Sequence, residues 1–223
     1  MKQNHSTDWQ KHFCEKAQKF GYSVKSCDYI SANSFRARQK NILQWLFEKE
    51  PLGKTILDAG CGPGIFSADM AKTNQVIGMD FCMNMLKICS SQKLSPICAN
   101  ITQTPFRKDS FDTALGIEVF QYVENFKLCM EEMLRILKPN GTLCVSTLNS
   151  ESVIRKIYKT FIPRKEREFS VKQISDAMRD FGFKNISFML LFYPVGSYAV
   201  SPNPTLAQRR LASCFAVKGT KPL

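Results

Sequence analysis

Histidine is almost missing from this chain: among 223 residues only His5 and His12 occur. A histidine general base in the core is thereby excluded, unless an N-terminal helix brings His12 over the site. Paired cysteines are missing too, since the nine present include no C-x-x-C and their number is odd. Small buried apolar groups in a reducing compartment are the expectation, ahead of a redox or metal role, and no metal site is expected. No apolar run is long enough for a bilayer, the longest, Phe188 to Val200, being broken by Pro194, Gly196 and Ser197. With no signal peptide at its start, the protein is expected to be soluble and cytoplasmic.

Acidic residues are scarce, 19 against 31 Lys and Arg, for a net charge of +12. The excess is local. Residues 1–50 carry nine basic against five acidic side chains, residues 51–150 nine against nine, and residues 151–223 thirteen against five. A neutral middle with a basic C-terminal third points to an acidic substrate or partner near the tail, or to weak affinity for anionic surfaces. The length suits one substantial α/β domain, and 44% hydrophobic content is ordinary for one.

The chain is organised around residues 55–64. The short apolar run Thr55-Ile56-Leu57 ends in Asp58 and opens into Ala59-Gly60-Cys61-Gly62-Pro63-Gly64, after which Ile65 to Ala71 reads as a helix. Strand, glycine turn and helix in that order let the backbone approach a ligand closely. A second run, Gln75 to Asp80, also ends in an acid. At such a strand end a carboxylate accepts hydrogen bonds from ribose hydroxyls, so the ligand is read as a nucleoside. A dinucleotide's pyrophosphate calls for a glycine where Ile65 stands, and Asp58 would repel phosphate. S-adenosylmethionine brings an ammonium and a sulfonium instead, and a carboxylate attracts both.

Leu57-Asp58-Ala59-Gly60-Cys61-Gly62-Pro63-Gly64 resembles the first motif of class I S-adenosylmethionine-dependent methyltransferases. Val76 to Asp80 resembles their ribose-binding strand end, Phe111 to Gly116 their fourth strand, and Leu137 to Leu143 their turn into the fifth. The layout is most similar to the ubiquinone/menaquinone-type, small-molecule branch. The resemblance implies a Rossmann-like, doubly wound α/β sheet of seven strands in the order 3-2-1-4-5-7-6, the seventh antiparallel. It also implies S-adenosyl-L-methionine as cofactor and S-adenosyl-L-homocysteine as product. Residues 1–50 are expected to form an N-terminal helical lid, or helices that merely pack on the sheet, and residues 51–223 the methyltransferase domain. The two make a single domain overall, with a basic insertion at about 150–168.

Carried over residue by residue, the resemblance places Asp58, Gly60, Cys61, Gly62, Pro63, Gly64, Asp80, Phe81, Met85, Asn100, Ile101 and Glu118 around the cofactor. Arg36 resembles an arginine that holds the cofactor's carboxylate through its planar fork, with a solvated surface arginine as the other reading. Asn100 stands where relatives often have an acid, and its carbonyl can still accept a bond from the adenine amino group. Tyr122 replaces a frequent histidine, leaving Tyr122 and Glu118 as the acid/base candidates. An unperturbed tyrosine, with a pKa of about 10, is a poor base at neutral pH, so a structural role competes with a catalytic one.

Methyl transfer to a small molecule, with oxygen on an aromatic or carboxylate-bearing compound as acceptor, is the leading functional expectation. Methylation of an acyl group on an acidic carrier protein stands as an alternative, because Val145 to Leu148 resembles the strand-five exit of malonyl-carrier O-methyltransferases and the tail is basic. A non-catalytic cofactor-binding assembly or regulatory factor is the third. Specific nucleic-acid methylation is disfavoured: Gly116-Ile117-Glu118-Val119 stands where base amino methylases carry a Pro-Pro loop, and no Pro-Cys occurs for cytosine chemistry.

Overall fold

The computed structural model describes residues 5–29, 31–47, 49, 51–90, 93–161, 165–192, 197–199 and 204–223. In chain order the strands are β1 (Thr55–Ala59), β2 (Gln75–Asp80), β3 (Ser95–Cys98), β4 (Phe111–Ile117), β5 (Leu137–Leu148), β6 (Lys184–Phe192), β7 (Ser197–Ala199) and β8 (Cys214–Thr220). The helices are α1 (His5–Phe20), α2 (Ala32–Leu46), α3 (Met83–Cys89), α4 (Phe126–Ile136), α5 (Val153–Phe161), α6 (Val171–Asp180) and α7 (Leu206–Leu211). They form one sheet in the order β3-β2-β1-β4-β5-β8-β6-β7. Seven strands follow the expected order, with β8 running antiparallel to β5 in the register Val145↔Val217. The correction is β7, a three-residue strand added at the edge against β6 inside what the sequence presents as a loop rich in Pro, Ser and Asn. Other residues of that expected loop, 194–196 and 200–203, lie outside the described set, as does Arg164 of the basic insertion.

Parallel strands covered on both faces are expected to read as continuous apolar runs. Successive residues of β1 serve opposite layers: Ile56 joins Phe35, Ile42 and Leu46 of α2, whereas Leu57 joins the core that contains Met130 and Met133 of α4 and Ile174 and Met178 of α6. Local signals set the helix ends. Ser31 accepts the N–H of Ser34 at the start of α2, and Ser170 and Gln173 close a capping box at the start of α6. The Lys138–Gly141 turn, expected before the fifth strand, is drawn into β5, with Asn140 at φ 62°.

Two further expectations change. Residues 65–71 form successive turns ending in a short 3₁₀ turn, Met70–Lys72, rather than a helix. Single N–H bonds from Ala68 to Gly64 and from Ala71 to Ser67 are not extended, and the Ser67 hydroxyl is turned inward to Asp58. Cys14 and Cys82 form a disulfide that ties α1 to the loop before α3, so two of the nine cysteines are not merely buried apolar groups. Among the described residues no helix is long and apolar enough to cross a membrane, and no metal-holding cluster occurs.

Candidate active site

The sheet order reverses beside β1: β2 and β3 lie on one side, and the chain then crosses to place β4 on the other. Ligands of open α/β sheets bind outside the strand ends at such a switch point. A cavity of about 550 Å³ opens there, within the range that takes a cofactor-sized ligand.

The glycine turn is shaped by its protein neighbours. Gly60 has φ 77°, and a Cβ on it would lie 2.4 Å from Val119 Cγ2. The N–H groups of Gly60 and Cys61 both donate to the Met79 carbonyl, at 2.7 and 3.0 Å, which folds the turn onto β2. Gly62 N–H then donates to Asp80 Oδ2 at 2.9 Å, and Cys82 N–H to Oδ1 at 2.8 Å. The carboxylate keeps acceptor capacity beyond these bonds. Burial raises the Asp80 pKa, opposed by the N–H groups of Cys82, Gly62 and Phe81.

Asp58 is 1% exposed. Ser67 Oγ donates to its Oδ2 at 2.6 Å. Burial raises its pKa to about 6 despite that bond, and the nearby Asp80 charge adds to the rise. A buried carboxylate with one hydroxyl partner is the site where a ligand cation gains most.

On the far wall Glu118 follows β4 with φ 53°, a left-handed backbone that a side chain rarely adopts. Its N–H donates to the Ser146 carbonyl at 2.8 Å, and its carboxylate is ion-paired with Arg38 of α2. The same guanidinium lies 5.1 Å from the centre of the Tyr29 ring. Tyr122 packs against α1, its ring centroid 4.7 Å from Trp9 and 4.9 Å from Phe13. Gln10 Nε2 reaches across to the Phe81 carbonyl at 2.9 Å.

Of the residues singled out in the sequence, Asp58, Gly60, Cys61, Gly62, Asp80, Phe81, Met85, Asn100, Ile101, Glu118 and Tyr122 all line the cavity. Asn100 Oδ1 accepts from the Thr102 N–H and hydroxyl, at 3.0 and 2.9 Å, so its carbonyl is already engaged. Pro63 and Gly64 are buried behind the turn, where a Cβ on Gly64 would meet Cys89 Sγ at 3.0 Å. Arg36 is corrected: it is exposed, whereas Arg38 is 9% exposed and reaches Glu118. Two residues turn a helix by about 200°, so only one of this pair can face the sheet. The available signal was Arg38 sharing a helix face with the apolar Phe35 and Ile42. Gln10, Phe13 and Tyr29 also line the cavity and were not anticipated. His12 is not among the lining residues, because its Nε2 meets Asp28 Oδ2 at 2.7 Å. Burial alone would raise the Asp28 pKa, but hydrogen bonds from Lys16 and His12 bring it below the usual range.

The donor set fits S-adenosylmethionine: a buried acid for the ammonium, a second with free lone pairs for the ribose, and apolar Ile101 and Met85 for the base. Fold and site together define a nucleoside-binding α/β protein whose acids suit a cationic ligand. A methyltransferase-domain family model matches residues 57–145. An uncharacterised protein of Methanocaldococcus jannaschii is 30% identical over 176 residues, 74% of each chain. A malonyl-[acyl-carrier protein] O-methyltransferase of Herminiimonas arsenicoxydans is 31% identical over 59% of this chain and 53% of its own. A demethylmenaquinone methyltransferase of Oceanobacillus iheyensis is 33% identical over 43% of this chain and 45% of its own. Among solved structures, a Thermotoga maritima methyltransferase described as a possible histamine N-methyltransferase superposes with a TM-score of 0.73, covering 94% of this chain and 100% of that one at 22% identity. The chain belongs to the class I S-adenosylmethionine-dependent methyltransferases, and S-adenosylmethionine is its cofactor.

Proposed function

We propose that this methyltransferase acts on an oxygen of a small, flat, acidic acceptor, a phenol or a carboxylic acid. The observation that carries the reading is the aromatic pair Tyr122 and Phe13 in the wall of a cavity whose described lining includes no histidine, with Trp9 packed against Tyr122. Bound S-adenosylmethionine supplies an activated methyl group and leaves as S-adenosylhomocysteine. Asp80, oriented by the N–H groups of Gly62, Cys82 and Phe81, would hold the ribose hydroxyls. Asp58 holds the ammonium, and Ser67 fixes the carboxylate that does so. Arg38 neutralises Glu118, which makes Glu118 a positioning group rather than a base. An acceptor oxygen that is already ionised has no proton to lose, and one that is nearly so passes its proton to water, so both need alignment more than a base. Helix α1 serves as a cover over that acceptor, held down by Gln10 on Phe81 and by the ring contacts of Trp9 and Phe13.

A second reading, methylation of an acyl carboxylate on an acidic carrier protein, is supported by the similarity to the malonyl-carrier enzyme and by the exposed Lys156 and Lys165 that follow β5. Both readings share a carboxylate-type oxygen. The experiment is a panel of phenols, aromatic acids and acyl-carrier conjugates incubated with isotopically labelled cofactor, read by mass spectrometry. Label in a phenol or free acid supports the first reading, and label only on the carrier replaces it with the second. Transfer only to nitrogen acceptors added as controls would overturn both.

A further inference from the structure

Helix α5 is inside out. Val153, Ile154, Ile157 and Phe161 share one face at helical spacing and are 42%, 39%, 58% and 79% exposed, and no residue of the helix is buried. The charged face is the one turned inward. Arg155 Nε donates to Glu168 Oε1 at 2.7 Å, its Nη2 lies 3.4 Å from Glu166 Oε1, and Lys159 Nζ lies 3.0 Å from Glu168 Oε1. A surface helix of a soluble protein shows the reverse arrangement. These three ion pairs therefore fix the helix with its hydrocarbon pointing outward. Helix α7 packs beside it and adds Leu206 and Leu211, 64% and 53% exposed. Single exposed apolar residues need no explanation, whereas six on two adjoining helices mark a contact surface.

We propose that this α5–α7 face docks on an anionic lipid surface. The charge pattern selects that occupant. Lys156 and Arg210 are exposed on the same two helices, and Lys165 is exposed just beyond α5. Apolar side chains that enter the acyl layer while cations at their margin stay among phosphates are the mark of an interfacial helix. A second copy would set one basic face against another, which is repulsive. A folded acidic partner would meet the cations but would need an apolar cleft for Phe161 and Ile157.

The position of the face gives docking a use. Arg167, just past α5, donates its N–H to the Gln121 carbonyl at 3.1 Å and its guanidinium to the carbonyls of Val123 and Glu124. Val123 and Glu124 line the cofactor cavity, so the docking helix is tied to the cavity rim. A bilayer held against α5 lies beside that rim. Docking is measurable without turnover and does not depend on which acceptor is used.

The test is co-flotation of the full chain with vesicles of phosphatidylcholine, alone and mixed with phosphatidylglycerol. Wild type is expected to float with the mixed vesicles, weakly with the neutral ones, and less as salt rises. Ile157→Asp/Phe161→Asp is expected to reduce partition by about tenfold or more, with S-adenosylmethionine binding unchanged. Phe161→Ser is the milder variant should the double change disturb folding, and its partition is expected to fall in the same direction. No flotation by folded wild type would overturn the proposal. So would flotation of the Asp variant equal to wild type, binding to soluble poly-glutamate that depends on Phe161 as strongly, or self-association abolished by the same changes without any vesicle binding.

Discussion

Arg38 and Glu118 stand eighty positions apart in the chain and meet as an ion pair with side chains 9% and 14% exposed. Helix α2 thereby clamps Glu118, a residue of the cavity wall whose backbone is left-handed without being glycine. Arg38→Ala leaves the Glu118 charge nearly buried with its cation gone, a loss expected to lower stability by about 2–4 kcal/mol. Arg36→Ala removes an exposed side chain and is expected to stay within about 0.5 kcal/mol. Urea denaturation of the two variants separates the assignments, and equal losses would refute this one.

Asp58 ties stability to pH. Its folded pKa, about 6, lies above the ordinary aspartate value of 3.8, so the folded state holds a proton that the unfolded state gives up between those values. Stability from this group is present below the unfolded pKa and is lost as pH rises through about 6, by about 2–3 kcal/mol. Asp58→Asn is expected to flatten that decline. Because the ammonium selects the ionised carboxylate, S-adenosylmethionine affinity should rise as pH increases from 5 to 7, with protons released on binding below about 6. Calorimetry in buffers of different ionisation heat reads the proton count, and proton uptake would contradict the role given to Asp58.

Gly60 and Gly21 are a matched pair of controls, at φ 77° and φ 56°. A Cβ at Gly21 meets nothing within 4 Å, so Gly21→Ala should lose only the backbone term, about 1 kcal/mol. Gly60→Ala adds a contact of 2.4 Å with Val119, and its expected effect is loss of S-adenosylmethionine binding well beyond its effect on thermal stability. Binding within a factor of two of wild type would show that the turn has slack.

Most of the sheet was legible because its information is local. The apolar runs ending in Asp58 and Asp80, the glycine turn between them and the capping box at Ser170 each state their own geometry within a few residues. Contacts across the chain were not legible in the same way. Arg38 meets Glu118 only because α2 packs on β1, and no local pattern separates it from Arg36 except the apolar face it shares with Phe35 and Ile42. Strand β7 escaped because edge pairing with β6 asks little of three residues. The reversed polarity of α5 depends on Glu166 and Glu168, which lie beyond the helix, so the residues of the helix alone do not show it.

Cys14 and Cys82 bridge sixty-eight positions. Thiol titration of the unreduced, denatured chain should count seven free groups of nine. Reduction, or Cys14→Ser, should speed amide exchange in α1 and lower stability by up to about 4 kcal/mol in the loop-entropy view. Nine reactive thiols in protein purified without reductant would remove the tether from the account.

Titration calorimetry of S-adenosylmethionine into ligand-free protein, wild type beside Asp80→Asn, reads the cofactor site itself. Asparagine keeps the size of Asp80 but withdraws the charge that Gly62 and Cys82 hold toward the cavity. The expected result is micromolar binding by wild type, weakened about ten- to a hundredfold in the variant. Folded wild type that binds neither S-adenosylmethionine nor S-adenosylhomocysteine, or an Asp80→Asn variant that binds as wild type does, would contradict the site as described.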